Sequence, residues 1–357
     1  VQIPNLKLVF VLLGLMITQL CFAQYQIQVL DSNTFNLGEG VVLSKTSFRG
    51  LSVVDDNTIW VSGSRGTFAR SVDGGKTFTY TQLKGYEKSD FRDIEAFDEK
   101  RAVMMSSGTP AYILKTIDGG LTWKEVYKNT DSAYFLDAMD FWDEKRGILV
   151  GDPINGHFVL LETNNGGETW QELDTTKTPS AMEGEAVFAA SGTSLRCWGK
   201  YGRLIFVTGG KISRGLGNNI ASKYQNWEYT QLPLTQGKSS QGAFSFASND
   251  SASIIVGGDY TNDTSSSLIA SCAQYFPLTN KDEYFNQLVC DVKGYKSCIE
   301  AINQHNFIAC GTSGVDYYNL KTWSKISCDP FHVVRKAKKG KAVFLAGPRG
   351  KIGKLVY

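Results

Sequence analysis

Arginines and carboxylates beside glycine-rich turns are the groups in this 357-residue sequence with chemistry to offer. Arg49 and Arg92 each follow a phenylalanine, and Arg203 closes the run Gly199-Lys-Tyr-Gly-Arg203. A guanidinium suits the bidentate grip of a carboxylate. Glu185 with Asp152 or Asp259 offers the acid–base pair of a glycoside-cleaving site, given a fitting separation. The 3 histidines, His157, His305 and His332, are too few and too scattered to ligate a metal, so no metal is expected. No Gly-x-Gly-x-x-Gly opens a helix, and Gly209–Gly217 lacks the Lys-Ser/Thr ending of a phosphate loop. That run reads as a loop, and the expected cofactor list is empty.

These residues need a frame, and the frame is a repeat. Ser71-Val-Asp-Gly-Gly-Lys-Thr-Phe78, Thr116-Ile-Asp-Gly-Gly-Leu-Thr-Trp123 and Thr163-Asn-Asn-Gly-Gly-Glu-Thr-Trp170 align at spacings of 45 and 47 residues. Each follows a similar preamble: Phe48-Arg-Gly-Leu-Ser, Phe91-Arg-Asp-Ile-Glu and Phe135-Leu-Asp-Ala-Met. Four strands per unit of about 45 residues is the size of a propeller blade. Each part of the repeated turn has a structural task. Asp73, Asp118 and Asn165 accept N–H groups of the turn. Gly75, Gly120 and Gly167 permit positive φ. Phe78, Trp123 and Trp170 fill the space between neighbouring sheets.

The pattern S/T-x-D/N-x-G-x-T-W/F resembles the Asp-box, or BNR repeat, shared by sialidases, related glycosidases, sortilin-type receptors and photosystem II assembly/stability factors. Phe91-Arg-Asp-Ile-Glu-Ala-Phe, Gly151-Asp-Pro and Gly257-Gly-Asp-Tyr260 resemble exported bacterial BNR/YVTN-like proteins. The resemblance implies an all-β fold, a seven-bladed propeller of four-stranded antiparallel blades. In sialidase terms Arg49, Arg92 and Arg203 would grip a carboxylate, Tyr260 with Glu185 would be the nucleophile pair, and Asp152 the acid/base. The family's Phe/Tyr-Arg-Ile-Pro motif is absent, and Phe91-Arg-Asp-Ile replaces it poorly. The ranking is therefore a non-enzymatic binding or assembly scaffold first, a sialidase-like glycoside hydrolase second, and a photosystem II assembly factor-like protein third. An oxidoreductase has no support.

Later units keep the strands and lose the box. Glu185–Ala190, Leu195–Lys200 and Leu204–Thr208 read as the start of a fourth blade. The seventh unit has three strands, and Tyr25–Leu30 is expected to complete it, removing an exposed edge. Residues 24–357 then divide into seven units of about 48 residues. On the face opposite the Asp-boxes, inner-strand starts should bring Arg49, Arg92, Asp93, Asp137, Glu183, Glu185, Lys296 and His332. Second-to-third turns should add Arg65, Asp152, Asn155, His157, Tyr201, Arg203, Asp259, Tyr260, Asp316 and Arg349. Loops held on a rigid scaffold often carry binding groups.

Residues 1–23 read as a secretory signal: Lys7, an apolar run from Leu8 to Leu20, and cleavage after Ala23. The run is too short to span a bilayer. The expected product is an exported monomer, periplasmic or extracellular, with no membrane span and a protein complex or glycan as partner. A net charge of +2 gives no case for nucleic acid. Cys272 with Cys290, and Cys298 with Cys310, are each placed to face across a hairpin; buried thiols are the favoured reading.

Overall fold

A computed structural model describes residues 25–30, 32, 35–198, 202–219, 223–262, 272–275, 286–287, 292 and 294–357. The signal segment, Tyr201 and Cys290 lie outside them, as does the side chain of Cys272. Seven antiparallel sheets follow one another along the chain, each beginning at the central axis and stepping outward. Blade 1 comprises Phe48–Val53, Ile59–Gly63, Thr67–Ser71 and Phe78–Gln82. Blade 2 comprises Asp90–Ala96, Ala102–Ser107, Ala111–Thr116 and Lys124–Asn129, and blade 3 runs from Leu136–Phe141 to Gln171–Glu172. Blades 5, 6 and 7 start at Gln241–Ser248, Cys298–Ala301 and Val333–Lys336. The named elements are strands apart from a short 3-10 turn at Leu43–Lys45. The chain is an all-β, seven-bladed propeller.

Ring closure uses both ends of the described chain. Gln26–Val29 pairs antiparallel with Ile352–Val356, matching Gln26 to Val356 and Val29 to Gly353. The last blade thereby gains its outer strand and loses its open edge. Unanticipated is Phe35–Leu37, which adds a fifth, parallel strand outside Phe78–Gln82. Phe35 earns its place by packing edge-on to Phe78 at 5.6 Å.

The fourth blade differs from the sequence reading. Its strands are Leu195–Trp198, Arg203–Val207, Arg214–Asn219 and Glu228–Gln231. The glycine-rich stretch read as a loop is largely strand: Gly209–Gly210 and Arg214–Asn219 both pair. Glycines at alternate positions carry no apolar signature, so the strand's period was invisible. Glu185–Ala186 is no inner strand of blade 4. It pairs with Gly209–Gly210, which borders the inner strand of blade 5.

The Asp-boxes do what their residue types dictate. In the second box Thr116 Oγ1 donates to Asp118 (2.9 Å) and accepts from Gly120 N (3.0 Å), while Thr122 N donates to Asp118 (2.9 Å). The first box repeats this through Ser71, Asp73 and Thr77, and the third through Thr163, Asn165 and Thr169. Trp123 then packs on Phe68 (5.3 Å) and Trp60 (6.2 Å) of the preceding blade. The box therefore fixes a local turn and joins two blades. Cys298 and Cys310 sit opposite one another across their hairpin as buried thiols.

Gly120 holds φ +85°, and a Cβ there would meet the Phe68 ring at 2.6 Å. Gly85, at φ +90°, faces nothing within 4 Å. Gly120→Ala should therefore cost more than Gly85→Ala, about 1–3 kcal/mol against 1 or less. Urea unfolding midpoints of the two variants measure the difference; equal losses would remove the inter-blade role.

Candidate functional site

Four inner strands carry a bulge near their first residues. The register skips between Phe48 and Gly50, Phe91 and Asp93, Leu136 and Ala138, and Ala243 and Ser245. The residues thus left out of the ladder are Arg49, Arg92, Asp137 and Phe244. A bulge leaves its extra residue unpaired and re-aims its side chain. Here all four meet the same piece of chain. Arg49 Nη1 donates to Ala190 O and Arg92 Nη1 to Ala189 O, both at 3.3 Å. The Phe244 ring stacks on Phe188 at 3.9 Å, 5° from parallel. The Asp137 carboxylate feels the N–H of Ala189.

The clamped segment, residues 187–193, continues across the axis. Val187 N donates to Asp152 (3.0 Å). Ser191 Oγ donates to Ser297 O (2.8 Å), and Thr193 Oγ1 lies 2.5 Å from Ser245 Oγ. Gly192 presses so closely on Asp93 that a Cβ there would lie 2.2 Å from its carboxylate. The face predicted to bear the ligand is thus covered at its centre by the protein's own backbone.

Electrostatics follow from that cover. Burial depresses the Arg49 pKa, and Arg92 beside it adds to the effect. Burial, then Arg49 and Arg92, hold His332 neutral with a pKa lowered to about 3. Burial lifts Asp152 to about 6. It lifts Asp137 well above the usual range, with the Asp152 charge adding and Arg92 opposing. Asp93, whose carboxylate accepts from Ile94 N and Met139 N, is raised by burial to about 8 against the pull of Arg335. The arrangement can hold an extended peptide by its carbonyls, which it does with its own.

The remaining predicted residues scatter. Glu185 is clasped by Arg214 (2.5 and 2.9 Å), Thr208 Oγ1 (2.6 Å) and Met182 N (2.8 Å), so both its oxygens are engaged. Salt-bridged in this way, it pins the segment to blade 4 and is not poised over a substrate. Arg203 begins a second strand and lies on the Asp-box face, its carbonyl accepting from Trp142 Nε1 at 2.8 Å. It therefore does not join Arg49 and Arg92. The shifted strands of blade 4 account for both corrections. Glu183 pairs with Lys211 on the surface, and Lys296 with Asp316 at 2.7 Å in the interior. Arg65, Asn155 and Arg349 each precede a glycine in a two-residue hairpin turn, with φ of 63°, 52° and 58°. His157 opens a strand on the rim, its ring 3.4 Å from Thr178 O. Asp259, lowered to about 2 by Thr261, Gln241 and Ser240 bonds that outweigh burial, caps its own turn. Tyr260 beside it is half-exposed against Tyr295, 6.4 Å away.

On the other face the axis is open. A cavity of about 850 Å³ enters from the Asp-box side. Its wall includes Glu95, Asp140, Arg196, Glu300, Arg335 and Lys338, one or two from each of several inner strands or the turns that follow. Arg196 pairs with Glu300 at 2.6 Å, Arg335 approaches the same carboxylate at 3.9 Å, and Lys338 pairs with Glu95. Asp140 accepts from Cys197 N (2.7 Å) and Phe141 N (2.9 Å), and burial raises it to about 6, with Glu95 adding. The sequence reading missed this group. Its signal was there: two of the repeated preambles carry a charge as the last but one residue of the inner strand, Glu95 and Asp140, where an inner strand should be apolar.

Residues 87–188 match the family model described as Photosynthesis system II assembly factor YCF48. A curated relative, Vacuolar protein sorting/targeting protein 10 of Pyricularia oryzae, is 28% identical over 155 residues. That match takes in 43% of this chain and only 10% of the length of the relative. Among solved structures, YCF48 bound to D1 peptide aligns with a TM-score of 0.62 at 13% identity, covering 93% of this chain and 95% of its own. YCF48 from Cyanidioschyzon merolae aligns at 0.64 and 13%, covering 92% and 98%. The Pan2 WD40 domain of Neurospora crassa aligns at 0.55 and 9%, covering 86% and 88%. The chain is a BNR-type β-propeller.

Asp93 gives a pH prediction. Its folded pKa lies above the unfolded value, so its contribution to stability is full at low pH and is lost as pH rises toward about 8, at up to about 1.4 kcal/mol per unit. His332, depressed, acts only below its unfolded value near 6.5. Urea midpoints should therefore fall for the wild type between pH of about 6.5 and 8, and Asp93→Asn should flatten that fall. An unchanged slope in the variant would assign the titration elsewhere.

Proposed function

We propose that this chain is a non-enzymatic docking scaffold, exported from the cytoplasm, that holds a segment of another protein and assists its assembly. The observation that carries the reading is the fate of Arg49 and Arg92. In a sialidase-like site they would grip a substrate carboxylate; here they donate to Ala190 O and Ala189 O. Glu185, the other member of any hydrolytic pair, is fully engaged by Arg214 and Thr208. A rigid ring with its hydrolytic candidates bonded to its own chain acts by presenting surface.

The match of residues 87–188 to an assembly-factor model supports the same reading, as does the fold shared with YCF48 bound to D1 peptide. By that analogy the partner is a peptide segment of a larger complex, and a photosystem II-type factor is the specific form to test in a photosynthetic host. Export rests on the Lys7 to Ala23 pattern.

Two assays decide between binding and hydrolysis. Across pH of about 4–8, a panel of sialosides and aryl-glycosides should give no turnover, in the range where carboxylate-pair enzymes work. Turnover abolished by Glu185→Gln would overturn the proposal. An array of overlapping peptides from membrane-complex subunits should yield binders whose affinity survives in solution; a blank array would count as decisively against it.

A further inference from the structure

The open mouth on the Asp-box face carries a second reading, which rests on the docking role proposed above and gives it a location. Farther along the axis, beyond the residues that line the cavity, Ser191, Gly192 and Thr193 pack on Ser297, Asp93 and Ser245. What the cavity offers a ligand is set by which of its charges are already neutralised. Arg196 and Arg335 share Glu300, and Lys338 takes Glu95. Among the described residues, Asp140 accepts hydrogen bonds from the backbone N–H groups of Cys197 and Phe141, while the nearby Arg196, which it feels as a charge, is hydrogen-bonded to Glu300. On the far wall, Lys336 and Lys339 form no ion pair among the described residues. Among the described residues, negative charge without an ion pair thus lies at Asp140 of blade 3 and Asp250 beside blade 5, and such positive charge at Lys336 and Lys339 of blade 7.

The negative wall also bears Phe97, Phe141 and Trp142. Aromatic faces beside carboxylates attract ammonium and guanidinium groups. Lysines opposite attract a carboxylate as mobile point charges. A ligand of one sign would satisfy one wall and be repelled by the other. A single free amino acid carries both signs but would leave most of about 850 Å³ unfilled.

We propose that this channel mouth binds a short peptide segment bearing a basic and an acidic side chain, the basic one against Asp140 and the aromatic wall, the acidic one against Lys336 and Lys339. It is distinct from the clamp of Arg49 and Arg92, which lies at the opposite end of the axis. Burial, with Glu95 adding, raises the Asp140 carboxyl against the pull of Arg196, whose own hydrogen bonds go to Glu300 and Phe246 O.

The probe is a blocked, fluorescein-labelled pentapeptide, Ala-Lys-Ala-Glu-Ala, with versions in which glutamine replaces the lysine, the glutamate or both. Anisotropy at low salt should show the dipolar peptide binding at least about 10-fold more tightly than the doubly neutral one, with each single-sign version between them. Asp140→Asn should remove about 10-fold of that affinity. Because Asp140 is half-buried and bonded to backbone N–H groups, the double variant Lys336→Gln, Lys339→Gln provides a second reading, with a similar loss expected. Equal binding of dipolar and neutral peptides overturns the proposal, as does unchanged affinity in both variants. Displacement of the peptide by equimolar free lysine would also overturn it, making the occupant an amino acid. Tight peptide binding that ignores these variants removes this site and leaves the docking role standing. A chain that binds neither these peptides nor any array peptide loses both.

Discussion

An inner strand that gains one residue over its partner must expel that residue's side chain from the ladder, and four blades of this propeller do so at similar positions. Arg49, Arg92, Asp137 and Phe244 are the expelled residues. Each bulge forfeits some pairing, which a propeller tolerates because the adjoining strands continue undisturbed. The return is a clamp whose members come from blades 1, 2, 3 and 5 and close on residues 188–190. A segment held from four directions ties blades together across the axis, where propellers otherwise have only neighbour-to-neighbour contact. It also decides which end of the channel a ligand can enter.

The clamp brings charge into the interior, and the energetics there turn on partnership. Burying a charge without a partner costs several kcal/mol, so a buried ion tends to shift its pKa or find a mate. Both outcomes occur along this axis. Glu185 with Arg214 and Lys296 with Asp316 are mated pairs. Asp93, Asp137 and Asp152 instead drift upward toward the neutral acid, and His332 drifts downward toward neutral imidazole. Such perturbed groups in a cleft are often read as catalytic. Here they underlie a structural segment, and the same perturbations serve to keep a polar core intact.

The channel's two ends have consequently diverged. One is covered by protein backbone that Arg49, Arg92 and Asp152 hold by hydrogen bonds. The other stays open and retains charges that its own ion pairs do not cancel, Asp140 on one wall and Lys336 and Lys339 on another. The surface turns at Asp73, Asp118 and Asn165 lie on the same face, between the outer strands of their blades. They take no part in chemistry, since their carboxylate and amide oxygens are spent on turn N–H groups.

The sequence by itself determined the ring. Three polar-glycine boxes at blade spacing, the alternating strands between them and a last unit short by one strand required a propeller closed by the chain's beginning, because these are local signals repeated in register. It also located Arg49, Arg92 and His332 together, since inner-strand starts share a face. Only the tertiary structure decided what those residues face. Blade 4 lost its periodic signature to glycines at 209–217, so the strands slipped by one element, Glu185 left the inner ring and Arg203 moved to the opposite face. Residues 187–193 became a plug through contacts to blades far away in sequence. A side chain's partner across an axis depends on the summed geometry of seven sheets, and no local pattern encodes that sum.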